Sequence, residues 1–145
     1  MQYTIVLSED KSYIILKYVG DITSQVALIA TEESHALGSK YGIRHYLVDA
    51  TEAKNFENPF KSYNFAYQDL ERANIDRAAC VALLTSPEDT SHDFIETLMV
   101  NAGYDVKMFK NRENAIQYLL AAIRGKTRLH KQPCPFVGTT ATMLF

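Results

Sequence analysis

The side chains able to do chemistry in this chain are few and scattered. Ser91-His92-Asp93 contains the residue types of an acyl-transfer triad. Neighbours on one backbone cannot point at one another as nucleophile, base and orienter must. The run reads instead as a helix start with an acid in its first turn, which the helix dipole favours. His92 and Glu96 stand four residues apart, on one helical face, with Asp89 just upstream. That spacing suits a small metal site, but no further ligand joins them, and neither a metal nor a cofactor is expected. Asp49, Lys54 and Lys110 carry acid–base groups, yet no spacing holds a nucleophile and a base together. Gly125-Lys126-Thr127 has the ending of a phosphate-binding loop. Leu120 stands where that motif needs its first glycine, and the tripeptide follows a helix rather than a strand. No GxGxxG, GxSxG or HExxH occurs. These residues imply a non-enzymatic protein.

A better case comes from position. In open α/β sheets, ligands engage the loops at the carboxyl ends of parallel strands. Here those ends offer Asp49 and Thr51, then Thr85 and Ser86, then Lys110. Helix starts near Pro59, Ser91 and Asn111 face the same edge, where free backbone N–H groups meet anions. Hydroxyls in such places also serve as ordinary helix caps. A dense aromatic set, Phe56, Phe60, Tyr63, Phe65 and Tyr67, follows the first of these ends. Phe60, Tyr63, Ala66, Tyr67 and Leu70 step along one helical face that would seal the sheet. Phe65 falls off that face, toward an apolar ligand or a partner.

The elements that must position these residues follow from the pattern of apolar positions. Tyr3–Leu7 and Tyr13–Val19 read as strands joined by the polar Ser8–Ser12 turn, an antiparallel hairpin. Gly20-Asp21 closes it. Thr23 or Ser24 caps a helix that runs to about Tyr41 and stops at Gly42. His45–Asp49 is a short strand, followed by a polar loop from Thr51 and a helix opened by Pro59. Arg77–Leu84 holds seven consecutive apolar residues, Ala78 to Leu84, as a strand covered on both faces does. A helix from Ser91 to Ala102, a strand from Tyr104 to Phe109, and a helix from Asn111 to about Ile123, ended by Gly125, complete the order. His35 and His45 read as a helix-surface and a strand histidine. The order β-β-α-β-α-β-α-β-α predicts an α/β fold: a mixed five-stranded sheet with an N-terminal antiparallel hairpin, then parallel strands, and about four helices packed on it.

Size and charge bound the rest. The chain has 145 residues and a formal net charge of −2. That fits one domain, over residues 1–125, and gives no basic field for nucleic acid. The seven-residue apolar run is far short of the roughly 18 residues of a membrane span. The start lacks a positive n-region and reaches Glu9-Asp10 early, so a cytoplasmic location is expected. Cys80 reads as a small buried hydrophobe and Cys134 lies between two prolines; no disulfide is expected between them. The tail, residues 126–145, has no acidic residue and ends in apolar Pro133–Phe145. It is expected to dock on its own domain or on a neighbouring subunit, giving a homodimer.

Gly20-Asp21-Ile22-Thr23 at the entry to the first helix, Leu47-Val48-Asp49, Arg77-Ala78-Ala79-Cys80-Val81-Ala82, Val106-Lys107-Met108-Phe109 and Asn114-Ala115-Ile116-Gln117-Tyr118-Leu119 together carry a likeness. In element order and in these stretches the chain resembles the STAS domain, the fold of bacterial anti-sigma-factor antagonists and of the cytoplasmic part of sulfate transporters. It is similar above all to small bacterial STAS-like proteins, whose fold is related to the CRAL-TRIO lipid-binding domain. The resemblance implies a regulatory, protein-interaction module. It also implies a phosphorylatable serine at the start of the second helix. Counting from Asp49, that place carries Glu57-Asn58-Pro59-Phe60, which has no hydroxyl to accept a phosphoryl group. The candidate contact residues are therefore Asp49, Thr51, Glu57, Asn58, Phe60, Tyr63, Thr85 and Ser86. The expected partner is another protein or, alternatively, a small apolar or lipid-like ligand.

Overall fold

Alternation decides which way each strand faces. In the strand Ile14–Ile22 (β2), Ile14, Leu16 and Tyr18 are buried on one side, and Ile15 and Lys17 turn to the other. The computed structural model describes residues 2–55 and 59–128. Its sheet has five strands in the order β1-β2-β3-β4-β5, with β1 at Gln2–Leu7, β3 at His45–Asn55, β4 at Cys80–Leu84 and β5 at Asp105–Phe109. Only β1 and β2 pair antiparallel; the other three pairings are parallel. This is the mixed α/β sheet that the sequence order implies.

Each parallel connection crosses over by a helix. Helix α1 spans Ser24–Tyr41. The second is one continuous helix built from α2 (Pro59–Asn64), a π-helical turn (Phe65–Asp69) and α3 (Leu70–Arg72), and α4 spans Asp93–Asn101. Because the strands follow one another in sheet order, right-handed crossovers place all three helices on one face. The apolar clusters agree: α1 residue Ala30 packs with Leu16, Tyr18 and Ala50, and Phe65, Leu70, Met99 and Val106 pack together. Helix α5 (Arg112–Arg128) follows the last strand and lies alone on the opposite face. There Ala115, Leu119 and Ala122 meet Leu47, Cys80, Ala82 and Leu84.

Local chemistry sets the helix ends. Thr23 Oγ1 accepts the Val26 N–H at the start of α1, and Gly42, at φ 69°, donates its N–H to Gly38 O at the end. Gly38 sits so close to Tyr46 that a Cβ there would overlap the Tyr46 hydroxyl.

Several elements differ from the sequence reading. Gly20-Asp21 does not close the hairpin: β2 continues to Ile22, pairing Gly20 with Ala53 and Ile22 with Asn55 across an irregularity between Lys17 and Val19. The segment Thr51–Asn55 is therefore strand and not loop. Strand β4 starts only at Cys80, because Asp76 Oδ1 accepts the Ala78 N–H and holds the preceding residues in a turn. Gly125 does not stop α5, which runs on to Arg128. His35 is not on the surface; its ring stacks on Tyr46 at 4.4 Å. Cys80 is fully buried as expected, but it is not a free thiol: it is disulfide-bonded, which corrects the expectation of two reduced cysteines. Cys134, the rest of the tail's Pro133–Phe145 and the docking read from them lie outside the described residues.

Candidate functional site

Two places bring polar and aromatic side chains together: the carboxyl edge of the parallel strands, and the space between the sheet and its three-helix layer. At the edge, β4 leads to α4 on one face and β5 leads to α5 on the other, so the chain diverges between these strands. Such a switch point is the usual ligand crevice of an open α/β sheet. The side chains gathered here satisfy one another. The Asp49 carboxylate is fully buried; it accepts hydrogen bonds from Thr51 N at 3.0 Å and Thr51 Oγ1 at 2.7 Å, and pairs with Arg112. Burial alone would raise its pKa, but the bonds from Thr51 and the Arg112 charge outweigh that and hold it below the ordinary carboxylate value.

Ser86 Oγ donates to Thr51 O at 2.8 Å, which ties the end of β4 to β3. Lys110 donates to the carbonyls of Ser86 and Asp89. Asn111 Oδ1 accepts the Asn114 N–H, so its side chain occupies the start of α5. Asp49, Thr51 and Ser86 are thus assembled as expected of one edge, but as a clasp between strands and α5. Thr85 is fully buried, and its Oγ1 has no hydrogen-bond partner among the described residues.

The aromatic residues behave differently from the sequence reading. Phe60 and Tyr63 do not seal the sheet: they are 72% and 48% exposed. Phe65, read as falling off the inward face, is buried with Ala66 and Leu70. The π-helical turn is the cause. Leu70 donates its N–H to Phe65 O, five residues back, so one extra residue enters the turn and rotates the inward face. Phe94 on α4 is also exposed, and α4 packs against α2, so three aromatic side chains lie open on this helical layer. Phe56, Glu57 and Asn58 lie outside the described residues. The metal spacing at His92 and Glu96 is divided between other partners: His92 Nε2 lies 3.3 Å from Ala53 O, and Glu96 Oε2 accepts the Met108 N–H.

The second place is a cavity of about 140 Å³ beneath α1, the second helix and α4. Its throat is apolar, with Tyr18, Ala27, Val48, Phe65, Leu83 and Met99 in the wall. Small residues at Ala27, Ala50 and Ala79 leave space where larger ones would close the layers. One end carries Asn55, Ser62 and His92, and the other His35, Tyr46, Asp76 and Tyr104. Burial lowers the pKa of both His35 and His92, so both rings are neutral at pH 7. The sequence reading missed this wall. Its residues come from every element of one face, and only the alanines among core positions hint at missing volume.

No family model matches the chain, and no curated protein matches it. Among solved structures, it is similar to an uncharacterised protein of the DUF3478 family with a SpoIIAA-like fold, from Shewanella loihica PV-4. The identity is 19% and the TM-score 0.49, over 81% of this chain and 92% of that one. In element order and strand direction the architecture is the mixed α/β sheet, an antiparallel hairpin followed by parallel strands, that the sequence implies. No helix among the described residues is long and apolar enough to cross a membrane.

Proposed function

We propose that the protein is a non-enzymatic, STAS-like binding module that takes up a small apolar ligand between its sheet and its three-helix layer. The observation that supports this reading is the apolar cavity of about 140 Å³, bounded by small side chains and with hydrogen-bonding side chains only at its ends. The acid–base candidates support the non-enzymatic part. Asp49 is committed to Thr51 and Arg112, Lys110 to two carbonyls, and Lys54 to Asp89 at 3.5 Å. None of the three lines the cavity. Native mass spectrometry, compared with the mass under denaturing conditions, tests the reading. Extra mass that vanishes on denaturation is expected. Preparations that come up empty and take up no small apolar molecule would overturn it.

A second reading, a protein-interaction module, is favoured by Phe60, Tyr63 and Phe94, whose exposed rings stand on adjoining helices. Its partner would be a protein, and a second copy of the chain would serve as one. A Phe60→Ser, Tyr63→Ser variant should lose captured partners while keeping its fold. Unchanged partners would remove that surface from consideration.

A further inference from the structure

Cavity size, wall charge and one buried hydroxyl narrow the ligand class, taking the cavity reading above as given. We infer that the cavity accepts a neutral molecule of about one six-membered ring, carrying a single hydrogen-bonding oxygen that meets Tyr104. Volume comes first. At about 140 Å³, the space is close to that of the engineered cavity of about 150 Å³ that takes up benzene. It is well below the roughly 300–1,000 Å³ of drug-sized sites. A long acyl chain does not fit, which separates this ligand from the lipid-like one that the sequence left open.

Charge comes second. No Lys or Arg lines the wall among the described residues. Asp76, the acid at one end, is held by Arg44 through two hydrogen bonds, at 2.8 and 3.0 Å, and by the Ala78 N–H. An anionic head would therefore be buried without a counter-charge, at a cost that only a paired or hydrogen-bonded charge escapes.

The hydrogen bond comes third. Two wall residues carry buried side-chain oxygens with no hydrogen-bond partner among the described residues, Tyr104 and Asp105. Asp105 pairs in register with Cys80, whose side chain packs on α5, so its carboxyl belongs to the opposite face of the sheet. Tyr104 packs with Phe65, Leu70 and Val106 on the cavity side. Its Oη is both donor and acceptor, and an unmet hydroxyl in a dry site favours a ligand able to meet it. Arg77 stacks over the Tyr104 ring at 4.7 Å and leaves the hydroxyl unused.

The test measures binding of phenol, toluene, benzoate and laurate by ligand-observed NMR, to the full chain and to two variants. Phenol should bind about fivefold more tightly than toluene, the worth of one neutral hydrogen bond. Benzoate should bind at least roughly 100-fold more weakly than phenol, and laurate should not enter. Tyr104→Phe should bring phenol and toluene to equal affinity without lowering Tm, because it removes only an unpaired hydroxyl. Ala27→Leu, which fills the space from α1, should abolish uptake of both. Laurate or benzoate binding as well as phenol, with loss in Ala27→Leu, would overturn the inferred class and leave the cavity reading standing. So would a phenol preference that persists in Tyr104→Phe. No probe binding at all would overturn both.

Discussion

The two faces of the sheet are made from the same strands, yet they are different materials. Alternate residues of β3 and β4 send Leu47, Cys80, Ala82 and Leu84 toward α5, and Tyr46, Val48, Val81 and Leu83 toward the three-helix layer. The α5 face packs Ala115, Leu119 and Ala122 on Leu47, Ala82 and Leu84 and carries charge: the buried Asp49 with Arg112, Lys17 with Glu52 at 2.6 Å, and Asp105, whose carboxyl has no hydrogen-bond partner among the described residues. The opposite face is incompletely filled, with a cavity where three helices meet the sheet and an ionised wall group, Asp76, paired with Arg44. One helix can settle its ridges into a sheet without compromise. Three helices held by short crossovers must also pack on one another, and small residues at their junction leave space. The cavity thus belongs to the face with more neighbours to reconcile.

Substitutions that respect this difference should have unequal effects. The largest is expected on the filled face: Leu119→Ala, at a position with no exposure, should lower stability by about 3–4 kcal/mol in urea unfolding, through lost transfer energy and a new cavity. Next comes Asp105, also on that face, whose pKa burial pushes up to about 7. Such an acid is protonated in the folded chain while already ionised in the unfolded one. Its folded state therefore loses stability as pH rises from the ordinary carboxylate value to about 7. Asp105→Asn should match wild type near pH 4 and exceed it by on the order of 4 kcal/mol at pH 8. Equal curves at both pH values would show that the carboxyl finds a partner.

A matched pair sharpens the contrast. Ala115→Leu enlarges a fully buried residue of α5 and should cost about 1–3 kcal/mol by overpacking. The same enlargement at Ala27, beside the cavity, should cost less than about 0.5 kcal/mol. Equal costs would mean that the two faces are equally filled. A modest effect is expected at the entry to the helical layer. Thr23→Ala removes the cap on the Val26 N–H and should cost about 1 kcal/mol in thermal unfolding.

Much of this was legible from the residues alone. Strand-type runs at Tyr3–Leu7, Tyr13–Val19, His45–Asp49, Ala78–Leu84 and Tyr104–Phe109, a capping Thr23 and a stopping Gly42 determine five strands and the order of the helices between them. Those signals are local: a strand period of two, a helix period near four, and end residues with particular backbone preferences. Asp49, Thr51 and Ser86 were placed at one edge because strand ends share an edge in any parallel sheet.

What stayed hidden depends on non-local balance. That Asp49 would be neutralised by Arg112, 63 positions later, required knowing which face α5 takes. That Phe65 would turn inward and Phe60 outward required the π-helical turn, which no residue type announces. The cavity required the joint fit of α1, the second helix and α4 over the sheet, since a void is a property of no single segment. Sequence by itself determined the elements, their order and the edge, because short-range sterics and apolar periodicity act within a few residues. Only the tertiary structure decided which side chains neutralise one another and where volume is left over, because charge pairing and packing are settled between segments far apart in the chain.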